Sequence, residues 1–192
     1  MRLGFLASRN GTDMQAIIEA IDRDELSARA TVIISNNSKS PALAFGRRLN
    51  IPSFHISSLT DLDPDAKMAT TLLRHHVNLV LLSGYMKRLG DDVYKHIPTL
   101  NAHPADTKKY GGEGMFGDRV HEAVLASGDK FTYPTIHVVE SDVMDEGRIL
   151  AQGKVEVLPD DTVETLRPRV QTEEKVLYIG VLTDLQSGKI TL

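Results

Sequence analysis

With 192 residues, 41% of them hydrophobic, the chain is long enough to bury the core of one ordinary globular domain, expected to span residues 1–192. Its 22 basic and 26 acidic residues leave a net charge of -4 with no basic block, which disfavours nucleic acid as a partner and leaves small anions open. Cysteine is absent, which excludes disulfides, thiol nucleophiles and cysteine-ligated metals.

Residues 1–8 form too short an apolar stretch for a secretory signal, and no later run has the length of a membrane span. A soluble, cytoplasmic protein is expected. Residues 3–7 read as a strand that runs into Ser8-Arg9-Asn10-Gly11-Thr12-Asp13, after which Met14, Ile17, Ile18 and Ile21 recur at helical spacing. In this strand–turn–helix, Gly11 permits a tight turn, and Thr12 or Asp13 is placed to cap a helix whose free N–H groups attract phosphate. A plain strand-to-helix connection uses the same residue types, so on pattern both readings stand.

Residues 30–34 repeat the theme as a β-branched strand stopped by Ser35-Asn36-Asn37-Ser38, and residues 42–49 suggest a second helix. A short strand over 51–56 and a third helix over 65–76 follow. His75 and His76 close that helix, where their position suits capping better than a metal pair, because adjacent helical side chains splay apart. Residues 77–82 are an apolar run of strand length ending at Ser83-Gly84, as in a buried parallel strand. Strands alternating with helices at this spacing predict an α/β fold: a Rossmann-like, open, mostly parallel sheet with helices on both faces.

One or two helical turns over 90–96 return the chain to Leu100-Asn101-Ala102-His103-Pro104, a second strand end. Strand carboxyl ends hold the ligand crevices of open α/β sheets, so this loop and the one at Ser83 are expected to face one cleft. Residues 105–117 read as an aperiodic loop whose four glycines suit either a ligand cover or a mobile flap. An amphipathic segment around Val120, Ala123 and Val124 comes next. Residues 134–139 and 148–157 then read as an antiparallel excursion, split by the acidic loop 140–147. A capped last helix opens at Asp160-Asp161-Thr162, and 185–192 read as an edge hairpin or tail.

Asn101, His103 and Asp145 are the candidate catalytic constellation. An imidazole near a carboxylate holds or passes a proton, and an amide N–H stabilises an oxyanion, a set suited to acyl transfer through a tetrahedral intermediate. With no cysteine, and no serine in a nucleophile-elbow pattern, direct transfer without a covalent enzyme intermediate is favoured. A histidine beside a proline in a turn also occurs as an ordinary satisfied residue, and pattern alone leaves that open. The first turn lacks Gly-x-Gly-x-x-Gly, which disfavours a dinucleotide oxidoreductase.

Ser8-Arg9-Asn10-Gly11-Thr12-Asp13-Met14-Gln15-Ala16-Ile17, Ser35-Asn36, Leu82-Ser83-Gly84-Tyr85-Met86-Lys87, Asn101-Ala102-His103-Pro104, Met144-Asp145-Glu146-Gly147 and Arg169-Val170-Gln171-Thr172-Glu173-Glu174 occur in this order. In order and spacing the chain resembles the phosphoribosylglycinamide formyltransferases, folate-dependent enzymes of purine synthesis, over nearly its whole length. The resemblance implies Asn101, His103 and Asp145 as catalytic, with transfer from 10-formyltetrahydrofolate to the amine of 5'-phosphoribosylglycinamide. It implies Gly11, Thr12 and Asp13 as the phosphate loop and Gln171 and Glu174 as ribose contacts. It places the folate at Met86, Lys87, Arg88 and Leu89 and along the backbone from Glu140, Ser141 and Asp142 to Asp145. It aligns His137 with another active-site histidine, a position a core residue fits equally, and implies no metal.

The chain departs from the family pattern at Asp13, where asparagine is usual, at Ala105-Asp106-Thr107-Lys108, in the 111–117 loop, and at Glu146 and Arg148. Lys108, Lys109 or Arg119 are candidates to supply the positive charge lost through these departures. Other formyl-group enzymes of the same fold, acting on a different amine, and a non-catalytic folate- or nucleotide-binding protein are the alternatives. The family relatives acting on sugar nucleotides or transfer RNA carry an extra domain for which 192 residues leave no room. A monomer or homodimer is expected.

Overall fold

The computed structural model describes residues 1–143 and 145–192, so Met144 of the motif named above lies outside the described residues. The chain forms two compact units, Met1–Leu100 and Asn101–Leu192.

In the first unit, strands β1 (Arg2–Leu6), β2 (Arg29–Ser35), β3 (Ser53–His55) and β4 (Leu79–Leu82) alternate with helices α1 (Thr12–Asp22), α2 (Pro41–Arg48), α3 (Pro64–Arg74) and the single-turn α4 (Asp91–Tyr94). The strand order is β3-β2-β1-β4, and the first residues of β5 (Thr99–His103) follow β4. The pairings β1–β2, β1–β4 and β2–β3 are parallel. Strands covered on both faces read as continuous apolar runs, and Leu79 to Leu82 are accordingly all buried, as are Phe5, Leu6, Ile33 and Ile34. Met14, Ile17 and Ile18 of α1, Leu43 of α2 and Leu72 of α3 supply the helical side of this core. Helix α2 starts after Ser40, whose side chain accepts from the Ala42 N–H. Helix α3 starts after Asp63, which accepts from Ala66.

The second unit takes up the remaining residues of β5 and adds β7 (Thr135–Val138) beside it, then β8 (Ile149–Gln152) antiparallel to β7. Helices α5 (Thr107–Tyr110) and α6 (Asp118–Ser127) and the long α7 (Val163–Gln186) complete it, with a small antiparallel pair β6 (Phe131–Thr132) and β9 (Val155–Glu156). Ala105, Tyr110, Val120, Val124, Leu166 and Val170 form its core.

The mostly parallel α/β architecture expected from the alternation is present. Three details differ from the sequence reading. Residues 107–110, within the expected aperiodic loop, form a helical turn because Asp106 caps it by accepting from the Lys108 N–H. Phe131 and Thr132 form a strand too short for any alternation to register. Of the hairpin or tail expected over 185–192, the tail is present, shortened because α7 continues to Gln186.

Candidate active site

Strand periodicity puts Asn101 and His103 on the same face of β5. Asp145 reaches them from the loop between β7 and β8 with a left-handed backbone, φ 61°. Its Oδ1 lies 3.3 Å from His103 Nδ1 and accepts from the Asn101 amide at 3.2 Å. Its Oδ2 accepts from the backbone N–H of Gly112 at 3.1 Å. The His103 and Asp145 side chains are only 4% and 5% exposed, so their interaction runs through protein rather than water. Burial pushes the Asp145 carboxyl up, but hydrogen bonding from His103, the His103 charge and the Gly112 N–H together hold it well below the usual carboxylate range.

His103 Nε2 lies 2.8 Å from the carbonyl oxygen of Tyr110. A carbonyl only accepts, so Nε2 carries a proton; with Nδ1 facing a carboxylate, the two N–H groups of an imidazolium would both find acceptors. His137, 1% exposed on β7, has Nδ1 at 3.1 Å from the Val138 carbonyl, which assigns the ring proton there. Its Nε2 is then an acceptor, and the Asn101 amide donates to it at 3.1 Å. The Asn101 NH2 therefore serves Asp145 and His137 with its two hydrogens, and a flipped amide would turn its oxygen on a carboxylate. His137 is thus buried in the core of its unit and in contact with Asn101.

The other predicted residues fall as follows. Gly11 is the residue before α1, at φ 60° and ψ 52°, a left-handed conformation that glycine adopts without cost. Neither Thr12 nor Asp13 caps the helix; both sit in its first turn. Asp13 is 6% exposed and turned inward, where Ser83 Oγ donates to its Oδ2 at 3.4 Å and accepts from the Met14 N–H at 3.0 Å. The loop after β4 is tied to the loop after β1: the Ser8 N–H donates to the Gly84 carbonyl at 3.1 Å and the Met86 N–H to Ser8 Oγ at 2.8 Å. Beyond it Leu89 is buried, Met86 half-buried, and Lys87 and Arg88 exposed.

In the second unit, Gln171 and Glu174 lie three residues apart on α7, on one face, with Glu174 buried and Gln171 half-buried. Glu140 accepts from the Arg148 N–H at 3.0 Å, Ser141 exchanges hydrogen bonds with the Val143 backbone, and Asp142 is exposed. Lys109 is engaged by Asp129 at 2.5 Å and Arg119 lies over the Phe116 ring. Sequence reasoning missed the Tyr110 carbonyl and the Gly112 N–H, because backbone groups leave no residue-type signal; the glycine pair was the only trace. Among the described residues no cluster of histidines and acids is placed to hold a metal, and no helix is long and apolar enough to cross a membrane.

An imidazole and its carboxylate partner, both with nearly inaccessible side chains, and a half-buried amide meet beside the end of β5, a set of groups suited to acyl-group chemistry. The chain belongs to the formyl transferase family, whose model, Formyl transferase, matches residues 1–182. It is 35% identical over 195 residues to the chloroplastic phosphoribosylglycinamide formyltransferase of Vigna unguiculata, covering 98% of this chain and 62% of that protein. It is 28% identical to the phosphoribosylglycinamide formyltransferase of Haemophilus influenzae, over 100% of this chain and 90% of that one. The crystal structure of glycinamide ribonucleotide transformylase 1 from Symbiobacterium toebii superposes with a TM-score of 0.91 at 30% identity, over 100% of this chain and 90% of that chain. The chain thus spans less than two thirds of the length of the plant relatives.

Proposed function

We propose that this protein transfers the formyl group of 10-formyltetrahydrofolate to the amine of 5'-phosphoribosylglycinamide, a step of purine synthesis. The buried His103–Asp145 pair with the Asn101 amide against it carries this reading, within a family of formyl transferases. The amine attacks the formyl carbon and a tetrahedral intermediate forms. Its oxyanion takes an N–H donor from Asn101 and is stabilised by the positive charge of protonated His103, whose two N–H groups face Asp145 and the Tyr110 carbonyl, while Asp145 holds that charge and helps move a proton off the amine. The bond from the formyl carbon to N10 then breaks as N10 takes up a proton. In the free protein both Asn101 hydrogens are engaged by Asp145 and His137, so the oxyanion must draw one of them over as it forms.

The phosphate is assigned to Gly11 and the start of α1, where helix N–H groups and the dipole favour an anion. The ribose is assigned to Gln171 and Glu174, and the folate to residues 86–89 and 140–145. The same reading takes 1–192 as one formyltransferase domain acting in the cytoplasm, as a monomer or homodimer, on small molecules alone and without a metal. A second reading has one observation behind it: Asp13 buries a carboxylate in the first turn of α1, which opposes a phosphate there, so an unphosphorylated amine is the competing acceptor.

The test is turnover of purified His103→Ala beside the wild type, with equal melting temperatures as the control for folding. A loss of several orders of magnitude is expected. Near-normal turnover would remove the mechanism.

A further inference from the structure

Both members of the buried pair are held by one short backbone segment that none of the assignments above uses. The Tyr110 carbonyl accepts from His103 Nε2 at 2.8 Å, and two residues on the Gly112 N–H donates to Asp145 Oδ2 at 3.1 Å. Gly111, between them, packs directly on the site: a Cβ there would stand 2.9 Å from the Asp145 Cβ and 2.3 Å from the Thr107 carbonyl oxygen. Its φ of -97° suits any residue, so glycine is required at this position by contact alone.

The segment is anchored at its amino end. Tyr110 is 7% exposed within the core of the second unit, and its hydroxyl lies 2.6 Å from both Asp129 Oδ2 and Ser127 Oγ, donating to the carboxylate. Lys109 pairs with the same Asp129 oxygen and lies over the Tyr110 ring. Ser127 Oγ in turn donates to the Val124 carbonyl in the last turns of α6. The anchor therefore belongs to α6 and the loop that follows it, with no hydrogen bond of its own to His103 or Asp145 among those described.

We propose that Tyr110-Gly111-Gly112 is the positioning element of this site: it sets the spacing of His103 and Asp145 through its backbone, and the Tyr110 hydroxyl on Asp129 fixes its register. Tyr110, Gly111, Gly112 and Asp129 are positioning residues that act through His103 and Asp145. Free of the anchor, the segment slides, the carbonyl leaves Nε2, and the imidazole loses one of its two acceptors. The proposal rests on the catalytic reading of His103 and Asp145 only for its effect on rate; the geometry is testable without any substrate.

Three variants probe it. Tyr110→Phe keeps the buried ring and removes the hydroxyl, Asp129→Asn removes the charge at a partly exposed position, and Gly111→Ala pushes the segment off Asp145. In uniformly 15N-labelled protein, the His103 Nε2 proton and the Gly112 amide proton are followed by solvent exchange, with the β1 and β2 amides as the folding control. The expected result is exchange at least about tenfold faster at both protons in all three variants, with the control amides unchanged. Tyr110→Phe combined with Asp129→Asn should speed exchange by less than the product of the two single effects, because both weaken the Tyr110–Asp129 contact. In formyl transfer, kcat should fall about tenfold or more while KM for both substrates stays within about threefold. If Tyr110→Phe fails to fold, Asp129→Asn and Gly111→Ala carry the test. Wild-type exchange at His103 and Gly112 in folded variants overturns the proposal, whether or not the wild type transfers formyl groups. Altered exchange in a protein that transfers nothing would sustain the positioning role and refute the catalytic one.

Discussion

Asp145→Asn isolates the charge of the His103 partner while keeping its shape. Asparagine also tolerates the left-handed backbone at this position, φ 61°, so the loop is not strained by the change. Across the 3.3 Å between His103 Nδ1 and Asp145 Oδ1, a pair of unit charges at an effective dielectric constant of about 20 interacts by about 5 kcal/mol. With both side chains nearly excluded from solvent, little of this is screened. An asparagine oxygen turned toward Nδ1 recovers a neutral hydrogen bond, about 1 kcal/mol. The remaining loss of about 4 kcal/mol, if His103 carries full positive charge in the transition state, corresponds to roughly a thousandfold in rate. The assay is initial-rate formyl transfer at pH 7.5 with both substrates varied, beside a thermal melt. A folded Asp145→Asn protein that loses less than about tenfold would refute the charge argument.

His103→Ala and Asp145→Asn together should lose about as much rate as the worse single change, because the two act as a unit; additive losses in kcat would separate their roles. Gly11→Ala places a Cβ 3.2 Å from the Ala7 Cβ and Met14 Cε at a left-handed φ, so it should cost about 1–2 kcal/mol and lower the melting temperature by a few degrees, against none if the turn relaxes freely. Burial, opposed by Asp118 and assisted by Arg167 and His103, pushes His121 down from its ordinary 6.5 to about 4. The unfolded chain then binds a proton through that window that the folded chain refuses, so stability is full above pH 6.5 and declines as pH falls toward 4, by up to about 3 kcal/mol. His121→Leu should flatten that part of the curve of melting temperature against pH; parallel curves for variant and wild type would contradict the burial argument.

Where periodicity is strong, the fold was legible. The apolar run through Leu79-Val80-Leu81-Leu82 has no solvent face to alternate with, and it forms the buried strand expected of it. Residues 107–110 were not legible as a helix, because a single turn held by Asp106 is too short to show a period. The site divides in the same way. Asn101 and His103 share a strand face by their spacing of two, whereas Asp145 arrives from a loop whose path no pattern encodes. Residue type offers Thr12 or Asp13 as the cap of α1, yet Asp13 is turned inward to Ser83, seventy positions along the chain. The Tyr110 carbonyl and the Gly112 N–H left no trace beyond the glycine pair, since a backbone group acts without regard to residue type.

The most direct measurement uses donor labelled in its formyl carbon and the purified wild-type chain, with 5'-phosphoribosylglycinamide, with an unphosphorylated glycinamide riboside, and with no acceptor. The account predicts label in the formylated ribonucleotide, little in the riboside product, and no release of labelled formate without acceptor. Label released to water at the same rate in all three, or retained wholly on the folate, would contradict it.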